Sequence, residues 1–124
     1  MKIEVSTGEI VDKLSILHIK KQNITDEQKL VNVNNEYLYL HDIVFSELNI
    51  TEEDFLEMVS INKELWVIED DIRDKEYKKE FDSIFIELAR SVYVTNDKRA
   101  EFKKKINLKY GSLFVEEKSY FNYL

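Results

Sequence analysis

Residues 5–17, VSTGEIVDKLSIL, predict that the chain begins with a well-defined α-helix. Ser6 and Glu9 have the spacing of a capping box, in which the serine side chain caps the glutamate amide and the glutamate reaches back. Val5 and Ile10 stand at the positions of a hydrophobic staple around this box. Apolar residues then recur at helical spacing along one face: Ile10, Leu14 and Leu17, with Val11 beside them.

Further helix starts follow along the chain. Residues 25–28 (TDEQ) repeat the capping box, and residues 51–54 (TEED) place acids where the positive end of a helix dipole favours them. A fourth helix is predicted from about Phe81, and a break near Asn96 separates it from a fifth that Gly111 ends. The core stripes of helices two to four are Leu30, Val33, Tyr37, Leu40 and Val44; Met58, Ile61, Leu65, Ile68 and Ile72; and Phe81, Ile84, Phe85, Leu88 and Val92.

The composition favours helices throughout. The 124 residues include no proline and only two glycines, whereas all-β folds need many turn residues. Short loops between successive helices indicate antiparallel neighbours. We therefore predict one all-α domain over residues 1–124. Its expected architecture is an antiparallel bundle of about five helices with an irregular aromatic C-terminal tail.

Several function classes are disfavoured at this level. The absence of cysteine excludes disulfides, thiol catalysis and cysteine-ligated zinc, and His18 and His41 lack metal-ligand spacing. The net charge of −7 disfavours a broad nucleic-acid surface. No signal peptide is visible and no apolar run approaches the roughly 20 residues that span a bilayer. The expectation is a cytoplasmic protein that neither enters membranes nor binds nucleic acid.

The uneven charge and the apolar residues of helix two predict a homodimer. Residues 52–76 carry ten acids against three bases, and residues 97–109 carry six bases against two acids, so these segments should attract each other within or between chains. Further apolar residues widen the helix-two stripe: Leu38, Tyr39, Ile43 and Phe45. A helix apolar around much of its circumference needs cover on more than one side. The alternative is a monomer whose aromatic tail covers helix two and whose charges pair internally.

Polar residues follow one flank of the third predicted helix, whose second half reads LWVIEDDIRDKE over residues 65–76. Four residues recur at spacings of 4, 3 and 4 between the core and the solvent faces: Asn62, Trp66, Glu69 and Arg73. One interpretation is a boundary tryptophan beside an ordinary surface ion pair. The other is a flank that lines a cleft or a subunit contact. Elsewhere on this helix, Asp71 and Lys75 are predicted to pair at i,i+4.

A second polar group is expected where the fourth predicted helix gives way to the fifth. Asn96 either caps the fifth helix or faces a site, and Arg99 either is solvated or holds an anion together with Lys103. We predict that Trp66 borders a concave site with Asn96 or Arg99, since pockets collect polar groups from several elements. The candidate binding residues are Asn62, Trp66, Glu69, Arg73, Asn96, Asp97 and Arg99.

Four motifs, in this order, resemble an uncharacterised bacterial family known only as a domain of unknown function and often met near glycosyltransferase and surface-polysaccharide genes. They are GEIVDKLSILHIK (8–20), LWVIEDDIRDKE (65–76), FIELARSVYVTNDKRAEFKKKIN (85–107) and GSLFVEEKSY (111–120). The resemblance implies no catalytic residues. It directs attention to the polar motif members and so adds secondary candidates: Glu9, Asp12, Lys13 and Glu117.

The sequence thus predicts a non-catalytic interaction or accessory module, with a protein partner, no cofactor and no metal ion. The family resemblance implies a link to cell-surface glycan assembly. The alternative is an enzyme. Residues 68–76 and 85–97 loosely resemble all-α nucleoside triphosphate pyrophosphohydrolases, which hold Mg²⁺ with carboxylates on neighbouring helices. That alternative requires four acids to converge: Glu69, Asp70, Glu87 and Asp97.

Overall fold

Four α-helices and one π-helical turn form the computed structural model of the chain, which describes residues 1–123. The helices are α1 (Thr7–Asn23), α2 (Glu27–Asp42), α3 (Glu52–Tyr77) and α4 (Ser83–Lys109), and the π-turn Ile43–Glu47 extends α2. No strand occurs within residues 1–123. The prediction of an all-α fold is confirmed, with four helices rather than five.

Side-chain caps fix where the helices begin. Ser6 Oγ accepts a hydrogen bond from the Glu9 amide at 3.3 Å, and Thr51 Oγ1 accepts from the Asp54 amide at 3.2 Å, as the capping motifs predict. For α2 the cap is Asp26, one residue later than the box beginning at Thr25 indicates. Asp82, which the sequence analysis did not identify, caps α4. Local capping chemistry therefore determines every helix start.

The predicted break near Asn96 is wrong, because α4 runs unbroken from Ser83 to Lys109. Thr95 and Asn96 lie in its middle, and Thr95 is buried. Threonine and asparagine each cost only about 0.7 kcal/mol in a helix interior, far less than proline. Packing of α4 against α1 and α3 outweighs that cost. The helix ends where Gly111 adopts the left-handed conformation at φ 64°.

The first helix, α1, occupies the centre of the fold and contacts α2, α3 and α4. Helices α3 and α4 form an antiparallel hairpin, in which Lys109 pairs with Asp54 at 2.7 Å and Lys98 with Glu64 at 3.7 Å. The acidic and basic segments therefore meet within one chain. The core consists of Val11, Leu14, Leu17, Ile19, Val33, Leu40, Val44, Ile50, Phe55, Met58, Val59, Phe102 and Ile106.

The C-terminal tail lies along α4, not over α2. Glu117 pairs with Lys104 at 2.9 Å, and the Tyr123 ring meets the Tyr93 ring edge to face at 5.1 Å. The tail thus docks on its own chain, while Leu38 on α2 stays 67% exposed. Among the helices described over residues 1–123, none has both the length and the apolar character needed to cross a bilayer.

Candidate functional site

A buried polar network joins α1, α3 and α4 around Asp12, which is only 1% exposed. Arg99 donates from Nε to Asp12 Oδ1 at 2.9 Å and from Nη2 to Oδ2 at 2.5 Å. Asn62 Nδ2 donates to Asp12 Oδ1 at 2.8 Å and to Ser15 Oγ at 2.7 Å, and Ser15 Oγ donates to the Asp12 carbonyl at 2.6 Å. Every buried polar side-chain atom within residues 1–123 has a hydrogen-bond partner.

The charges of this network are compensated. The hydrogen bonds to Asp12 raise the pKa of the Arg99 guanidinium above its ordinary value. Beside it, the Lys103 ammonium lies 2.6 Å from Glu9 Oε2, 3.9 Å from Asp12 Oδ2 and 3.5 Å from Glu116 Oε2. The Glu9 side chain therefore bonds to α4. It does not form the second bond of the predicted capping box at the start of its own helix. A charge-assisted network of this kind holds its side chains in fixed positions.

A cleft of about 320 Å³ opens directly above this network, between α1, α3 and α4. We call it the Trp66 cleft. It brings together six of the seven candidate residues, because Asn62, Trp66, Glu69, Arg73, Asn96 and Arg99 all line it. Trp66 therefore shares one concavity with both Asn96 and Arg99. Whether these residues bind a ligand stays a prediction. The remaining lining residues are Ile16, Ile19 and Leu65, together with Asp70, which the sequence analysis considered only as an acid of the hydrolase alternative.

The lining of the Trp66 cleft is apolar in one part and polar in another. Ile19 and Leu65 are buried, and Trp66 packs partly against the core. Glu69 and Arg73 form the predicted i,i+4 ion pair at 2.9 Å. Asp70 is exposed and has no ion-pair partner among residues 1–123. The cleft thus offers an indole ring together with amide, guanidinium and carboxylate groups, a lining suited to a small polar ligand.

The seventh candidate, Asp97, lines a neighbouring cavity of about 640 Å³ between α4 and the tail. We call it the tail cavity. Asn96 and Arg99 line both cavities, so the two adjoin. Basic and aromatic side chains dominate the tail cavity: Arg99, Lys103, Lys118, Tyr93, Tyr120, Phe121 and Tyr123. Sequence reasoning missed this cavity because nothing in the aperiodic tail indicates that it returns to α4.

The contact of Tyr123 with Asp97 leads to a prediction. The Tyr123 hydroxyl donates to Asp97 Oδ2 at 2.5 Å, which raises the pKa of Tyr123 to about 12. Because the folded pKa exceeds the ordinary value of about 10, this contact stabilises tail docking below pH ~10 and is lost as the pH rises towards ~12. In a phenolate absorbance titration, the D97N variant should show one tyrosine whose pKa has returned to the ordinary range. The control variant D71N should show no such change. Identical curves for the wild type and D97N would contradict this assignment.

The secondary candidates fall into two groups. Glu9 and Asp12 belong to the buried network. Lys13 instead pairs with Glu36 at 3.3 Å on the surface, and Glu117 of the tail pairs with Lys104. Lys13 and Glu117 line neither the Trp66 cleft nor the tail cavity. The sequence analysis missed Ser15, although its spacing of three residues from Asp12 within an apolar stretch was a usable signal.

One predicted surface pair does not form. Lys75 bonds to Asp82 at 2.9 Å and to Glu80 at 3.3 Å, instead of to Asp71. The loop after α3 brings these two carboxylates to the Lys75 ammonium. The ammonium group therefore pairs with the loop and not with an acid on its own helix. Asp71 consequently lies on the surface without an ion-pair partner in the described part of the chain.

The acids that the hydrolase alternative requires have separate environments. Glu69 pairs with Arg73, Glu87 pairs with Arg90 at 3.0 Å, and Asp97 accepts from Tyr123. Across residues 1–123, no three side chains of acidic residues or histidines stand close enough together to hold a metal ion.

Comparison with known proteins bears on the whole chain. The pattern of a family of unknown function, DUF6165, matches residues 1–124. The chain belongs to this family. No curated protein and no solved structure matches it. This family membership agrees with the resemblance of the four motifs to a domain of unknown function. The matched residues include all four motifs.

Proposed function

We propose that the chain is a non-catalytic binding module whose Trp66 cleft takes a hydroxyl-rich polar ligand, such as a sugar unit. The observation that carries this proposal is the joint lining of one cleft by Trp66, Asn62, Asn96 and Arg99. The apolar C–H face of a sugar ring packs well on an indole. Its hydroxyl groups pair with planar amide, guanidinium and carboxylate groups. The Trp66 cleft offers both kinds of contact side by side.

Preorganisation supports the same proposal. Asn62 and Arg99 are held in place by Asp12 before any ligand arrives, so binding does not incur the entropy cost of ordering them. Both Asp12 oxygens already accept hydrogen bonds. Such a carboxylate positions its neighbours and is poorly placed to abstract a proton from a ligand, which favours binding over catalysis.

The wider setting follows from the family resemblance. A sugar-binding accessory protein fits a role in cell-surface glycan assembly, on the cytoplasmic side where activated sugars are used, beside a protein partner. The family itself has no assigned function. The resemblance to proteins met near glycosyltransferase genes supports this setting, and the chemistry of the Trp66 cleft supports it independently.

A thermal-shift panel tests the binding proposal. Glucose, galactose, N-acetylglucosamine and their 1-phosphates would be tested at millimolar concentrations, with inorganic phosphate as the control anion. A ligand present at 100 times its Kd stabilises the native state by about 2.7 kcal/mol, so at least one sugar probe should raise Tm by several degrees. A panel in which no sugar raises Tm would overturn the proposal. A shift with phosphate alone would make the site an anion site and overturn it too.

Divalent metal ions separate this proposal from the hydrolase alternative. We predict that millimolar Mg²⁺ or Mn²⁺ leaves Tm almost unchanged, because the acids in question are each paired or solvated apart from one another. The measurement is a thermal melt with a monovalent salt at matched ionic strength. A rise of several degrees with either divalent ion, absent in that control, would favour the hydrolase.

A further inference from the structure

A further cavity, of about 340 Å³, lies between α1, α2, the π-turn and the first turns of α3. We call it the aromatic cavity. Its lining differs from those of the Trp66 cleft and the tail cavity, and consists of His18, Tyr37, His41, Phe45, Glu52, Phe55 and Leu56. The two histidines, which the sequence places on different helices, therefore line one cavity.

Five aromatic rings of this lining form a closed circle of contacts. His18 contacts Tyr37 at a distance of 6.4 Å between ring centroids and Phe55 at 5.7 Å. His41 contacts Tyr37 at 5.6 Å and Phe45 at 4.8 Å. The rings of Phe45 and Phe55 meet edge to face at 5.3 Å, which closes the circle. Each ring is thus supported by two others, so the aromatic cavity is formed before any ligand arrives.

The electrostatics of the aromatic cavity favour a cation. The faces of aromatic rings are negative and attract positive charge. The chain itself shows this attraction, since Lys21 Nζ lies 4.0 Å from the centroid of the Tyr37 ring. No lysine or arginine among residues 1–123 lines the cavity. Burial, with Lys21 and Lys63 as further causes, lowers the pKa of His18 below its ordinary value, so this ring is uncharged at neutral pH.

Glu52 adds a formal negative charge to the lining. Its carboxylate has no ion-pair partner among residues 1–123 and is therefore available as a counter-ion. A metal ion does not fit, because His18, His41 and Glu52 do not stand close enough together to hold one.

The scarcity of hydrogen-bond acceptors narrows the class of cation. A primary ammonium carries three donors, and each donor needs an acceptor when the group leaves water. A quaternary ammonium has no donor and suits a lining made mainly of aromatic rings, the kind of cage that recognises such groups. We propose that the aromatic cavity binds a small quaternary ammonium group, with Glu52 as its counter-ion. This proposal does not depend on ligand binding in the Trp66 cleft.

A proton NMR titration with choline tests the proposal. The rings should shift the methyl signal of bound choline upfield, in a saturable manner. The control ligand is the neutral carbon isostere, in which a tert-butyl group replaces trimethylammonium. It should bind about fivefold more weakly, because an uncharged group loses the attraction to the ring faces. Equal binding of both ligands would overturn the proposal, since the cavity would then select by apolar surface alone.

A matched pair of variants locates the site. E52Q and E53Q each remove one acid from the first turn of α3, where both interact with the helix dipole. Only Glu52 lines the aromatic cavity. E52Q should therefore weaken choline binding by up to about fivefold, whereas E53Q should bind as the wild type does. An E52Q variant with the affinity of the wild type would overturn the proposal.

Two further measurements complete the test. F45L removes one ring but keeps an apolar side chain, and it should weaken choline binding by about fivefold. Helical circular dichroism confirms that the variant folds, and a folded F45L variant with unchanged affinity would overturn the proposal. Trp66 emission should stay constant during the titration, because Trp66 lines a different cavity. A saturable change in that emission would place choline in the Trp66 cleft and overturn the proposal too.

Discussion

Replacement of Asp12 by alanine is expected to lower the free energy of unfolding by about 3–5 kcal/mol, the usual cost of removing one partner from a buried ion pair. The Arg99 guanidinium loses both of its acceptors, and Asn62 loses one. Ser15 keeps its main-chain acceptor, so the damage centres on Arg99. In a chain of this size the loss corresponds to a fall of roughly 10–20 °C in Tm.

The neighbouring residue supplies the control for this prediction. Lys13 also lies on α1 and also forms an ion pair, but its side chain is 59% exposed and that of Glu36 is 45% exposed. Exposed pairs contribute about 0–1 kcal/mol, so K13A should melt close to the wild type. Equal losses for D12A and K13A would show that the Asp12 network contributes no more than a surface pair.

A double-mutant cycle isolates the pair itself. D12A and R99A should each destabilise strongly, since each leaves a buried or half-buried charge without its partner. The D12A/R99A variant should lose less than the sum of the two single losses, because neither charge then remains. Strict additivity would mean that the contact between Arg99 and Asp12 carries no coupling energy.

Replacement of Gly8 by alanine is expected to destabilise the protein by about 1–3 kcal/mol, the usual cost of overpacking. Alanine normally stabilises a helix relative to glycine by about 1 kcal/mol, so the predicted sign is reversed here. A Cβ at position 8 would lie 2.5 Å from the Lys103 carbonyl oxygen and 3.0 Å from Asn107 Oδ1. The Gly8 amide also donates to Asn107 Oδ1 at 2.6 Å. The glycine therefore permits α1 to approach α4.

The only other glycine provides a contrast of mechanism. Gly111 has a positive φ of 64°, and a Cβ added there would meet no atom within 4 Å. Its replacement by alanine strains the backbone by about 1–2 kcal/mol, and G111N should recover much of that loss because asparagine tolerates this conformation. At position 8, by contrast, G8N should be worse than G8A. Chemical denaturation of the four variants measures both patterns, and a G8A variant as stable as the wild type would contradict the close approach.

Local signals in the sequence predicted most of the fold. The capping residues Ser6 and Thr51 and the apolar stripe of α1 identified helix starts and a core face that the structure confirms. Helix propensity failed at Asn96, where long-range packing decides the conformation. The stripe through Phe81 and Ile84 is periodic but exposed. Periodicity identifies an apolar face without saying which element covers it.

The candidate site was predictable only in part, namely where its residues follow one another on a single helix. The spacing of Trp66, Glu69 and Arg73 on one helix flank follows from helix geometry alone, and these residues do share the Trp66 cleft. The bond between Asp12 and Arg99 links residues 87 positions apart. No local pattern can reveal that proximity in space. The docking of the tail against Asp97 is hidden likewise, because the tail has no period to read.

The sole tryptophan of the chain lies in the proposed binding cleft, so its fluorescence reports on the central claim directly. The measurement is a titration of Trp66 emission with the sugar that gives the largest thermal shift. We expect a saturable change in the emission of the wild type. We also expect weaker binding by D70N, which alters the cleft, and unchanged binding by D71N, whose neighbouring carboxylate lies outside it. An emission that no sugar changes, or equal binding by the wild type, D70N and D71N, would contradict a sugar site in the Trp66 cleft.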